Sequence, residues 1–145
     1  MDENIELLEY IYKNAEMGVF TMTELLKVLK EKENKIKPVV EKELKEYEKY
    51  LKQSKKYLKK YDAPLNKNGM MAKMMSGMGI KKETMTDNSD AAIAHMIIEG
   101  ATMGIVDIES KVKNYKTTAD SKILSLGKKF LKALECQVEE LKKYL

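Results

Sequence analysis

The amino-acid sequence predicts an all-α protein, a four-helix bundle with a long crossover between its second and third helices. Four stretches repeat apolar residues at every third or fourth position, the spacing of one helix face, over about 3–32, 37–61, 87–115 and 117–144. Short polar turns separate the first stretch from the second and the third from the fourth, so the stretches form two pairs. Between the pairs lie about 25 residues, 62–86, enough to run the length of a helix of roughly 42 Å.

The first two helices are bounded by capping and proline residues. Asp2 is a suitable N-cap for the first helix, and Pro38 fits the first turn of the second, which ends at 62–64. The residues expected to face the core are Ile5, Leu8, Ile11, Ala15, Val19, Met22, Leu26 and Leu29, then Val40, Leu44, Tyr47, Leu51, Ser54 and Leu58.

Capping residues also mark the last two helices. The third is predicted to start near Thr86 or Asp87, and residues 117–120 resemble a capping box that opens the fourth. Residues 91–106 are apolar or small almost all round, which predicts burial on more than one side, by the crossover or by another subunit. The expected inner face of the fourth helix is Ile123, Phe130, Leu134, Val138, Leu141 and Leu145.

Composition limits the classes of function. The 145 residues are expected to form one domain, 1–145, because 43% hydrophobic and 34% charged residues are ordinary for a globular chain. Since no stretch approaches 18 uninterrupted apolar residues and the N-terminus is polar, neither a membrane span nor a signal peptide is expected. The single cysteine, Cys136, fits a reducing compartment, so we expect a cytoplasmic protein.

The basic residues are all lysine, and the net charge is +4. Without arginine the chain lacks the planar fork that reads guanine, so no nucleic-acid partner is predicted. The densest basic run, from Lys49 to Lys60, has no acidic residue. Because it follows an acidic stretch in the same helix, we interpret it as stabilising the helix dipole.

Two ionisable residues, His95 and Glu99, interrupt the apolar third helix. They are four positions apart, hence on one face. A carboxylate in apolar surroundings is unfavourable unless it is paired, hydrogen-bonded, protonated or bound to a metal. Glu99 is therefore the first candidate metal ligand, with His95 as a second ligand or as a hydrogen-bonding partner of one.

The motif 98–100, Ile-Glu-Gly in the third of four helices, resembles the third-helix metal-ligand motif of rubrerythrin-like members of the ferritin superfamily. The resemblance implies a ferritin-like bundle whose carboxylates hold iron or another divalent metal. By their level along the helices, Glu16 and Glu135 resemble the first-helix and fourth-helix ligands. In the second helix Glu48 fits by level and Glu43 fits better by helical phase.

The sequence departs from this family at the Glu-x-x-His motifs of the second and fourth helices. The third residues after Glu43, Glu48 and Glu135 are not histidines. Two hypotheses remain, and they leave open whether the protein is an enzyme. One is a ferritin-like metal-binding protein in iron or oxidative-stress chemistry. The other is a non-enzymatic bundle with a degenerate metal site. In this hypothesis the protein binds a partner or a second copy of itself.

Five methionines at helical spacing lie in the predicted crossover: Met70, Met71, Met74, Met75 and Met78. Thioethers suit Cu(I), but they are also adaptable fillers of irregular contacts, and we interpret the cluster as a packing or partner-binding surface. Together with the apolar third helix it predicts a homo-oligomer, at least a dimer. Four tyrosines at similar spacing are interpreted as core rather than as a radical relay: Tyr47, Tyr50, Tyr57 and Tyr61.

Overall fold

A computed structural model of the chain describes residues 2–65, 79 and 87–145. This part of the chain is all-α and has no strand, which confirms the predicted class. Its elements are four α helices followed by a 3₁₀ turn: α1 Glu3–Leu29, α2 Lys37–Lys60, α3 Asp90–Asn114, α4 Ser121–Leu141 and the turn Lys142–Tyr144.

The helices begin at residues that supply local hydrogen bonds. Asp2 caps α1, where its carboxylate accepts from the backbone N–H of Asn4 at 2.8 Å. Ser89 caps α3 and accepts from the N–H of Ala92 at 3.2 Å. The predicted start of the third helix near residue 86 or 87 is wrong by about three residues, because Asp87 instead accepts from the N–H of Ser89 in the turn before the helix.

The helices form two hairpins, since α1 packs mainly on α2 and α3 mainly on α4. One hydrophobic cluster contains buried side chains from all four helices. Its largest fully buried members include Phe130, Leu7, Leu58 and Ile108. Burying this apolar surface is the main force that holds the hairpins together.

Polar contacts between the hairpins show their relative direction. At one end, Asp90 at the start of α3 accepts from the backbone N–H of Lys35 at 3.1 Å and of Ile36 at 3.4 Å, just before α2. At the other end, the hydroxyl of Tyr61, just after α2, donates to Asp120, just before α4. The N-terminal ends of α2 and α3 therefore lie together, and the two helices run in the same direction.

Among the described residues, α3 is the one helix long and apolar enough to cross a membrane by length and composition. The same test is met by core helices of globular proteins, and 33% of its most apolar stretch is buried inside this bundle. Large apolar side chains also remain on its outer face, where Met103 and Val106 are 71% and 62% exposed. The outer face of α3 is thus more apolar than an ordinary solvated helix face.

Candidate functional site

The third-helix candidates lie on the outside of the bundle. His95 and Glu99 are 67% and 71% exposed, and Nδ1 of His95 lies 3.4 Å from Oε1 of Glu99. Glu99 therefore does not lie in the apolar surroundings that made it a candidate ligand. The buried stripe of α3 contains Ile93, Ile97 and Gly104, and residue 99 falls on the opposite side of the helix. Glu99 in solvent needs neither a metal nor a buried partner.

The other four candidate ligands do not converge. Glu48 and Glu135 are exposed, whereas Glu16 and Glu43 are buried. Glu16 is engaged with Tyr12, whose hydroxyl donates to it. Within residues 2–65, 79 and 87–145, no group of three or more His, Cys, Asp or Glu side chains is arranged to hold a metal ion. The structure therefore does not assemble the predicted carboxylate site from these residues.

Of the two helix-2 candidates, Glu43 is buried and Glu48 is exposed. Glu43 is only 6% exposed. Burial, followed by repulsion from Glu140, raises the pKa of Glu43 to about 7, although the nearby Lys42 opposes the shift. Nζ of Lys42 lies 3.0 Å from Oε2 of Glu140, so these two surface charges are already paired with each other.

Beside Glu43 lies a buried neutral pair, Tyr47 of α2 and Gln137 of α4. The hydroxyl of Tyr47 donates to Oε1 of Gln137 at 3.1 Å, and Gln137 is 1% exposed. The Gln137 side chain also lies close enough to Glu43 to favour the charged carboxylate. Its Nε2, however, makes no well-formed hydrogen bond with any described residue. The buried polar cluster is thus Glu43, Tyr47 and Gln137, and one of its donors is not fully satisfied.

Aromatic packing fills the space around this cluster. A Cβ at Gly18 of α1 would lie 2.4 Å from Cδ1 of Tyr47, so the ring rests directly on the α1 backbone. On its other side the Tyr47 ring meets Phe130 edge-on, with centroids 6.4 Å apart, and Tyr50 lies 5.0 Å from the same ring. The middle of the bundle is therefore occupied by side chains at the level where the sequence suggested a metal.

Gln137 was missed by the sequence analysis, which placed Val138 and Leu145 on the inner face of the fourth helix. Val138 is only half-buried and Leu145 is exposed, so both assignments are wrong. The signal was present in the spacing. Position 137 lies three residues after Leu134 and four before Leu141, both of which are buried. Its polar character led the pattern to favour its apolar neighbour.

The methionine cluster of residues 70–78 lies outside the described residues. Of the four tyrosines interpreted as core, Tyr47 and Tyr50 are buried, while Tyr57 and Tyr61 are half-buried and pack against the core edge. Comparison of the chain with protein-family models, with curated proteins and with solved structures gave no match.

Proposed function

We propose that this protein is a non-enzymatic helical bundle of ferritin-like topology, with a degenerate metal site, which acts by binding itself or another partner. The observation that carries the proposal is the neutral pair of Tyr47 and Gln137, packed over Gly18. A di-metal centre needs several carboxylates or histidines that converge on a cavity. At this level of the bundle, two carboxyls, Glu43 and Glu46, lie beside tyrosine and phenylalanine rings. They are not part of any group of three or more potential ligands among the described residues.

The direction of the helices supports the ferritin-like topology. Helices α2 and α3 run in the same direction, so the C-terminal end of α2 and the N-terminal end of α3 lie one helix length, about 36 Å, apart. A connection over this distance is the long crossover of ferritin-like bundles, whereas a simple up-and-down bundle has antiparallel neighbours joined by short turns.

The outer face of α3 supports self-association. Met103 and Val106 are exposed large apolar side chains, and they lie on the same side of the helix as His95 and Glu99. Apolar groups with polar residues at their margin are typical of protein contact surfaces. We propose that a second copy of the chain covers this face, in the cytoplasm, where the exposed Cys136 would stay reduced.

The deciding experiment is a calorimetric titration of the metal-free protein with Fe(II), Mn(II) and Zn(II), each metal in a separate run. Wild type, Glu43→Gln and Glu99→Gln should show equal and weak binding, because the described carboxylates do not converge. Glu43→Gln tests the buried carboxyl and Glu99→Gln is its exposed counterpart. Tight, stoichiometric binding by wild type that is lost in Glu43→Gln would overturn the proposal and restore the metal-protein hypothesis of iron or oxidative-stress chemistry.

A further inference from the structure

Two basic segments that are distant in sequence lie beside each other on the helices α2 and α4. The segment from Lys49 to Lys60 forms the C-terminal half of α2, and Lys122 to Lys132 forms the N-terminal half of α4. Between them runs a groove of about 540 Å³. The described residues that line it carry lysine, hydroxyl, amide and apolar side chains and no carboxylate: Gln53, Lys56, Tyr57, Ser121, Lys122, Ser125, Leu126 and Lys129.

Helix stabilisation does not explain this arrangement. In α2 the acidic residues come first and the lysines last, as the helix dipole favours. In α4 the order is reversed. Its first turn has no acidic residue, its N-terminal half carries Lys122, Lys128 and Lys129, and its acids come only from Glu135 onward. Because the two helices are antiparallel, the lysines of α4 lie beside the lysines of α2. Neither the dipole nor cross-helix pairing favours this order.

Among the described residues, no ion pair involves a groove lysine. Lysines that do form salt bridges include Lys27, Lys42 and Lys142, none of which lines the groove. The nearest acid in the sequence, Asp120, does not line the groove and accepts instead from the hydroxyl of Tyr61. Like charges held together without counter-charges destabilise a fold, and such local conflicts are expected where a site serves a ligand.

We propose that this groove binds a small anion that carries two or more phosphate groups. Three lysine ammonium groups supply point charges for phosphate oxygens, and the hydroxyls of Ser121 and Ser125 supply hydrogen-bond donors. No side-chain hydrogen bond caps the start of α4, where Ser121 and Lys122 line the groove, so first-turn N–H groups there lack a side-chain partner. The half-buried Tyr57 and the edge of the buried Leu126 offer apolar contact to the rest of the ligand.

The charge along the two helices favours a short ligand over a long polyanion. The hydroxyl of Tyr50 donates to the backbone carbonyl of Lys129 at 3.2 Å and joins α2 to α4 at the end of the basic groove. Beyond this contact a second groove, of about 460 Å³, is lined by Glu43, Glu46 and Glu140 as well as lysines. A strand of nucleic acid that followed the helices would meet these carboxylates, whereas a di- or triphosphate ends before them.

The test uses inorganic pyrophosphate as the probe and calorimetry on the full chain. Wild type should bind saturably with one site. The triple variant Lys56→Gln, Lys122→Gln and Lys129→Gln should bind at least about tenfold more weakly, because each lysine supplies a charge-assisted hydrogen bond. The matched control removes the same charge far from the groove, as Lys30→Gln, Lys32→Gln and Lys143→Gln. It should stay within about twofold of wild type.

Thermal unfolding of both variants separates lost binding from lost structure. The groove variant should be at least as stable as wild type, because it relieves repulsion between lysines. Absence of saturable pyrophosphate binding by wild type, or an equal loss in both triple variants, would overturn the proposal. Salt-sensitive binding of an oligothymidylate that pyrophosphate cannot displace would overturn it as well, and would indicate a polyanion. The groove lies outside the buried cluster, so the metal titration and this experiment succeed or fail independently.

Discussion

The carboxyl of Glu43 is buried beside a second carboxylate, that of Glu140, and both effects favour its neutral form. The pKa of Glu43 is raised from its ordinary value of 4.5 to about 7. Between these two values the folded protein keeps a proton that the unfolded chain releases. Folding stability therefore falls as the pH rises from 4.5 to 7, and the loss is complete above 7.

Glu43→Gln keeps the shape of the side chain and removes its titration, so the variant should escape this loss. At pH 8 we expect its free energy of unfolding to exceed that of wild type by about 1–2 kcal/mol, less than the full pKa shift because solvent partly screens the carboxyl. Below pH 4.5, the ordinary pKa of a glutamate, Glu43 is protonated in both the folded and the unfolded wild type, so the two proteins should be equally stable. Urea unfolding across this pH range measures the difference.

The control is Glu48→Gln, an exposed carboxyl on the same helix. It should leave the pH dependence of stability unchanged, because a solvated glutamate has the same environment in both states. A difference between Glu43→Gln and wild type that stays constant with pH would contradict a protonated Glu43 in the folded protein.

The ring of Tyr47 on α2 rests on the backbone of α1 at Gly18. A methyl group at position 18 would overlap the ring, with its carbon 2.4 Å from Cδ1. A helical glycine elsewhere, Gly100 of α3, has nothing within 4 Å of its would-be Cβ. The same substitution therefore tests helix packing at one position and helix propensity alone at the other.

Gly18→Ala should destabilise the protein by about 1–3 kcal/mol, because overpacking outweighs the better helix propensity of alanine. Gly100→Ala should stabilise it by about 0.5–1 kcal/mol, because only the propensity changes. Urea unfolding of the two variants and wild type gives both values. Two changes of the same sign would show that Tyr47 does not hold the position against α1 that the structure gives it.

For the whole molecule, the outer face of α3 is the surface through which we propose that two copies associate. Light scattering should give a mass of at least twice the 16.7 kDa of the chain. Met103→Glu puts a charge in the centre of the exposed apolar face and should weaken association at least about tenfold, since a buried unpaired charge is unfavourable. Thr117 is exposed in the turn before α4. Thr117→Glu adds the same charge away from this face and should not weaken association.

A monomeric wild type at micromolar concentration would refute the proposed dimer. A dimer that Met103→Glu leaves intact would instead show that the copies meet through another surface. Neither result bears on the basic groove between α2 and α4, because α3 contributes no residue to the lining of that groove. The apolar face and the basic groove are thus two separate surfaces of one bundle.

The sequence by itself determined the helices, because their signals are local. Apolar spacing, the Asp2 cap and Pro38 depend on neighbours within a few positions of the chain. The predicted class is therefore confirmed, and the ends of the helices differ by only a few residues. Periodicity also placed Tyr47 on the inner face of α2, where it is buried.

Tertiary structure decided which side of each helix meets another helix. Residues 91–106 are apolar or small almost all round, so no pattern could show that Ile97 faces inward and Glu99 outward. Gln137 is buried because a hydroxyl from α2, 90 positions away, meets its amide. The lysines of α2 and α4 form a groove only because the helices run antiparallel. A sequence pattern records neighbours along the chain, whereas burial and charge depend on neighbours in space.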